Sequence, residues 1–161
     1  MNGAEALKAL YALQEKDLEI DRLRAEAESL PEELVALQGQ VETLEERLTN
    51  LLERRAELER EYNRHSLDIE DLSAKEKQAE EEQKRAQSAR EQTQYENRIQ
   101  QIKDRSRELL ELSTPIMEAM ENLEAEIAQV EEELAALRPR LQELLEANRA
   151  RVAELEAAIA A

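Results

Sequence analysis

Residues Leu30 to Leu72 read LPEELVALQGQVETLEERLTNLLERRAELEREYNRHSLDIEDL. Leu30, Leu34, Leu37, Val41, Leu44, Leu48, Leu51, Arg55, Leu58, Tyr62, His65, Ile69 and Leu72 follow one another in strict steps of four and three. An apolar residue every 3.5 positions keeps one narrow stripe of an α-helix turned toward a partner helix, so this stretch reads as one side of a coiled coil. Arg55 and His65 are its polar interruptions. Arg55 is expected to carry its head out of the seam to an acid such as Glu121 or Glu124.

The composition agrees with that reading. In 161 residues there is no Phe, Trp or Cys, and 38% of the side chains are charged. Two Gly and three Pro leave little turn chemistry, while the abundance of Ala, Leu, Glu, Gln and Arg favours helix. A net charge of −17 would suit a disordered chain as well, but disorder gives no reason for apolar residues to keep phase. The same charge opposes binding of the whole molecule to nucleic acid or an anionic membrane. No segment approaches the roughly 20 apolar residues of a membrane span, and Met1 to Leu10 lack a secretory signal pattern, which places the expected location in the cytoplasm.

A second seam runs through Ile99, Ile102, Ser106, Leu109, Ser113, Ile116, Met120, Leu123, Ile127, Val130, Leu134, Leu137, Leu141 and Leu144. If the two seams pack antiparallel, facing positions have residue numbers with a constant sum. A sum of 178 sets Leu34 against Leu144, Val41 against Leu137, Leu48 against Val130 and Leu58 against Met120. It also sets His65 against Ser113, so a polar core residue meets a possible hydrogen-bond partner. The fold class predicted is therefore all-α: a long antiparallel coiled-coil helical hairpin spanning 1–161. Arm one covers about 4–86 with a break near 30, the turn about 86–92, and arm two about 92–160. At 1.5 Å per residue, arms of 50 to 60 residues would be about 75 to 90 Å long. The alternative is one unbroken helix through residue 89 that pairs with a second chain.

Local signals sharpen this plan. Pro31 disfavours helix in Leu30 but suits a first turn, and Glu32 and Glu33 complement the positive end of the dipole. Between the seams, Glu76, Ala79, Gln83, Ala86 and Arg90 are small or polar, so packing is expected to fade there. Ser88-Ala-Arg-Glu91 and Thr93-Gln-Tyr-Glu96 both have the S/T-x-x-E form of a capping box. Thr114-Pro115 reads as a restart of the returning helix, with Thr114 as its cap, and Pro139 as a kink. Beyond Pro139, the positions Leu137, Leu141, Leu145, Asn148, Val152, Leu155 and Ile159 contain two consecutive steps of four, a stutter that locally unwinds a supercoil.

No constellation of catalytic residues stands out, and no enzymatic activity is expected. The acids are spread over helix faces, and one His without Cys cannot assemble a zinc site. Two surfaces could recognise partners. Residues 83 to 107 hold seven bases (Lys84, Arg85, Arg90, Arg98, Lys103, Arg105, Arg107) against three acids, a net of +4 that leaves −21 elsewhere. This basic tip suits an acidic protein surface or, as the alternative function, RNA; Tyr95 is its only aromatic residue, which disfavours base stacking. The other surface is the N-terminal face Leu7, Leu10, Leu13, Leu18 and Ile20, because residues before 17 have no partner under the sum of 178. Partner identity is open, as is the choice between monomer and homodimer.

LYALQEKDLEIDRL at 10–23, LPEEL at 30–34, REQTQYENRIQ at 90–100 and PIMEAMENLEAEI at 115–127 together resemble the coiled-coil portion of bacterial C4-type zinc-ribbon proteins. The resemblance covers nearly the whole chain. It implies an N-terminal helical hairpin followed by a small domain that binds zinc through two Cys pairs, and a role as chaperone or adaptor in flagellar or type III secretion assembly. Zinc is then expected only in a C-terminal ribbon outside this cysteine-free sequence, and no cofactor within it. Where family members show a K-E-Y-x-A-L-like run, this chain has Arg90-Glu91-Gln92-Thr93-Gln94-Tyr95.

Overall fold

The computed structural model describes residues 3–161, and every element in them is helical: α1 Gly3–Glu28, α2 Glu32–Lys84 and α3 Ala89–Ala160. Ser29, Leu30 and Pro31 form the break expected near residue 30. The first hydrogen bond of α2 runs from the Val35 N–H to the Pro31 carbonyl, so the proline heads its helix, where its missing N–H costs nothing. The contacts gather into two compact units, one of Met1–Glu46 with Glu132–Ala161 and one of Arg47–Glu131.

In the second unit the chain reverses between α2 and α3 at Arg85–Ser88, one residue ahead of the expected start of the turn. The turn contains neither Gly nor Pro, and no described residue has a positive φ, so α2 does not end on the left-handed cap that glycine usually supplies. Side chains and tight turns satisfy the helix ends instead. Arg85 N–H donates to Glu82 O and Ala86 N–H to Gln83 O, and Gln92 Nε2 reaches back across the turn to Gln83 O at 3.1 Å. Ser88 Oγ accepts from Glu91 N–H at 3.1 Å. The Glu91 carboxylate in turn accepts from Gln87 N–H at 3.0 Å, one residue earlier than in the usual capping box. Of the two candidate boxes, Ser88 to Glu91 opens α3.

The core of this unit follows the two seams, with Leu58, Ile99, Ile102, Leu109, Ile116, Ile127 and Val130 buried, and adds Ala79 from the stretch between them. Arg55 Nη2 meets Glu124 Oε1 at 3.0 Å, and Lys103 Nζ meets Glu76 Oε1 at 3.7 Å. Each pair sums to 179, one residue from the register read in the sequence. The expected fading after Leu72 is corrected in one respect. Ala79 is 1% exposed, and the register sets it against Ile99; a small side chain lets the backbones approach and the larger residue fill the layer.

A second correction concerns His65. Ser113 is buried, but its hydroxyl donates to its own helix at Leu109 O, 2.8 Å away, and His65 Nδ1 is buried without a partner. A serine inside a helix has a carbonyl four residues back in constant reach, and that local bond wins over one across the seam. The restart at Thr114 is corrected on the same physics. α3 continues through Pro115 and Pro139 without interruption, and Thr114 Oγ1 donates to Leu110 O at 3.2 Å instead of capping a new helix.

In the first unit α2 and α3 are also antiparallel. Leu34 and Leu134 are each 1% exposed, with Leu37 and Val41 buried beside them; removing one such side chain from water is worth roughly 1.5–3 kcal/mol. Arg138 Nη2 lies 3.5 Å from Glu45 and Arg140 Nη2 lies 2.8 Å from Glu33. Counted from the seam, these pairs occupy its two opposite edges, where a coiled coil places its flanking charges. They also bracket Pro139, at which α3 is not broken. The Glu33 hydrogen bond, and after it the one from Glu143, holds the Arg140 guanidinium pKa above its ordinary value.

α1 leans on the end of α3. Ile20, Leu23 and Ala27 are half-buried, as are Leu145, Asn148, Val152, Leu155 and Ile159 on the shifted seam of α3. Arg151 ties the two together: Nη1 donates to Glu26 O at 2.9 Å and Nη2 to Ser29 O at 2.7 Å. A cation is favoured there because the last carbonyls of a helix have no donors of their own and carry its negative end.

Candidate interaction surfaces

The basic tip divides on inspection. Lys103 is engaged with Glu76, Arg105 with Glu108 at 2.8 Å and Arg107 with Asp104 at 3.7 Å. Lys84 ends α2, Arg85 lies in the turn, and Arg90 and Arg98 lie in the first turns of α3; all four are exposed and form no ion pair among the described residues. The structure thus brings Lys84, Arg85 and Arg90 together around the reversal, with Arg98 two turns along α3. Lys103 and Arg105 have their charge met by neighbouring acids.

Position explains the difference. Lys84 at a helix C-terminus is supported by the dipole, whereas Arg90, two residues past the Ser88 cap, sits at a positive end that favours anions. That end is partly capped by its own side chains. Glu91 and Ser88 take the N–H groups of Gln87 and Glu91, so an incoming anion meets the side-chain cations beside a carboxylate that already caps the turn. Tyr95 is half-buried and does not present a free ring to a nucleobase.

The N-terminal face also divides. Leu7, Leu10 and Leu13 are exposed, as the register predicts for residues with nothing opposite them, and Leu18 is exposed although the register sets it against residue 160. Ile20 is half-buried and belongs with Leu23 and Ala27 on the side that faces α3. Tyr11, which the sequence reading passed over, joins the exposed group: Ala4, Leu7, Lys8, Tyr11, Ala12 and Glu15 line a shallow groove on α1. Its signal was present in the spacing of Ala4, Leu7, Tyr11, Gln14 and Leu18, a three-four pattern hidden by the stronger one through Leu10 and Leu13.

Arg55, His65 and Ser113 are the polar members of the seams. Arg55 reaches Glu124, one of the two acids expected for it, though its Nε remains buried without a partner. Beside that pair, Tyr62, Met117, Met120, Glu121 and Glu124 form a small notch. Among the described residues no group of three or more His, Cys, Asp or Glu is arranged to hold a metal ion. The donors present do not fit the zinc of a C4 ribbon, which needs four thiolates. No described helix is long and apolar enough to cross a membrane. No family model, curated protein or solved structure matches the chain.

Proposed function

We propose that the chain is a non-enzymatic helical scaffold that captures an acidic protein surface at its interhelical turn. The observation that carries this reading is the set of four exposed cations, Lys84, Arg85, Arg90 and Arg98, without ion-pair partners among the described residues of a chain whose net charge is −17. Elsewhere in the same region the bases are met by acids one turn away. Four unmatched charges steer an acidic partner to the turn and disfavour basic ones. The resemblance to zinc-ribbon proteins extends the proposal to an adaptor or chaperone role in assembling a secretion or flagellar apparatus in the cytoplasm.

RNA is the less favoured ligand because the turn offers cations without an accessible aromatic surface. A fluorescent poly-glutamate peptide and a single-stranded RNA of equal charge separate the two by anisotropy over a salt series. The peptide is expected to bind, and the K84E/R85E/R90E/R98E variant to weaken it at least about tenfold, equivalent to about 1.4 kcal/mol. Tighter RNA binding with a salt slope that falls in the same variant would replace the proposal with the nucleic-acid reading.

A further inference from the structure

α1 carries two apolar faces. At about 100° per residue, Leu7, Tyr11 and Leu18 fall within about 40° of one another and about 180° from Ala27, at the middle of the face that leans on α3. Their exposure agrees with this placement: Leu7 is 67%, Tyr11 64% and Leu18 69% exposed, while Ile20, Leu23 and Ala27 are half-buried. Leu18 and Ile20 lie at the same level of the helix, one open and one covered. The outward stripe therefore cannot be satisfied by α3, which occupies the other side. No described residue of α1 is buried, and a helix with so little tertiary support gains little from propensity alone.

We infer that this outward stripe binds a second copy of the chain, α1 against α1 in antiparallel, two-fold fashion. This deepens the scaffold reading by naming one partner, and it leaves the turn free for the other. Ala4, Leu7, Tyr11, Gln14 and Leu18 follow three-four spacing. Pairing positions whose numbers sum to 25 sets Leu7 over the partner's Leu18 and Tyr11 over the partner's Gln14, with the reciprocal layers generated by the two-fold axis. The flanking position of that register then brings Lys8 opposite the partner's Glu15, and Glu15 opposite the partner's Lys8. Both residues line the groove on this face. The stripe is thus self-complementary in charge as well as in apolar pattern, which is what distinguishes a second copy from an unrelated helix. Leu10, on the other edge of the stripe, meets the partner's Asp17 and adds little.

Only four layers are involved, Leu7 with Leu18 and Tyr11 with Gln14, each twice, so the dimer is small and reversible, and it is sought at roughly 100 µM chain, between the micromolar and millimolar affinity ranges. Sedimentation equilibrium on the full chain provides the test, with circular dichroism to establish that each variant keeps its helix. K8E and E15K are each expected to weaken dimerisation roughly tenfold by facing like charges at both flanks. Mixed together, the K8E chain and the E15K chain are expected to recover it as a heterodimer, since every flank is then opposite in sign. L7D/L18D is expected to be monomeric. A monomer at this concentration in the wild type overturns the inference. So does a wild-type dimer untouched by L7D/L18D, or a K8E and E15K mixture no tighter than either variant alone. Binding of the acidic peptide at the turn, measured on L7D/L18D, reports on the scaffold reading independently of the dimer.

Discussion

The two polar seam residues of α2 illustrate how little a coiled coil needs each side chain to be ideal. Arg55 reaches Glu124 at 3.0 Å while its Nε is buried without a partner, and the pair is partly solvated, so it contributes to register more than to stability. His65 is worse placed, with Nδ1 buried and unpaired, an arrangement that costs of order 1 kcal/mol or more. H65L should therefore raise the urea midpoint, by about 1 kcal/mol of unfolding free energy at constant m-value; an equal or lower midpoint would mean that His65 has a partner after all. S113A is expected to be close to neutral, because its hydroxyl only adds to a carbonyl already inside the helix. The seam positions of His65 and Ser113 were legible in the sequence. Their lack of a mutual hydrogen bond was not, since spacing fixes which layer a residue occupies but not which of two acceptors its hydroxyl chooses. The same applies to Arg151, whose reach to Glu26 O and Ser29 O depends on how α1 lies on α3.

At the level of elements, heptad counting located the pairing of α2 with α3, and among the described residues every buried apolar side chain except Ala79 lies on one of the two seams. It undervalued Ala79, because a count of bulky residues treats alanine as missing mass, whereas close backbone approach makes it a fitted layer against Ile99. Enlarging that layer should be costly: A79L is expected to destabilise the second unit by about 1–3 kcal/mol, read by urea unfolding, and a neutral result would contradict the tight layer. The prolines gave mixed signals for a similar reason. Pro31 stands where a helix starts, and its rule held; Thr114-Pro115 does not restart α3, which is long enough to continue past the missing N–H of Pro115 as it does at Pro139. The turn was legible through Ser88 and Glu91, whereas its closure by Gln92 onto Gln83 without a glycine was not. On α1, the division into two opposite faces came only with burial, which separated Ile20 from Leu18 although both are apolar.

For the molecule as a whole, charge and connectivity carry the account. A net charge of −17 coexists with four exposed cations at the turn that lack ion-pair partners among the described residues, and that contrast, visible in outline as the +4 of residues 83 to 107, becomes specific only through the pairing of Lys103, Arg105 and Arg107 with acids. The central claim is that α2 and α3 of one chain are each other's partners in the register near 178. The chain has no cysteine, so pairs can be introduced cleanly in place of the ion pairs, as E76C/K103C in one unit and E45C/R138C in the other. Treatment with a short thiol-bridging reagent should give rapid cross-linking within single chains, seen as a compacted monomer on a denaturing gel and independent of protein concentration. Cross-links found only between chains, with a rate that rises with concentration, would contradict the hairpin and favour long helices paired across two molecules.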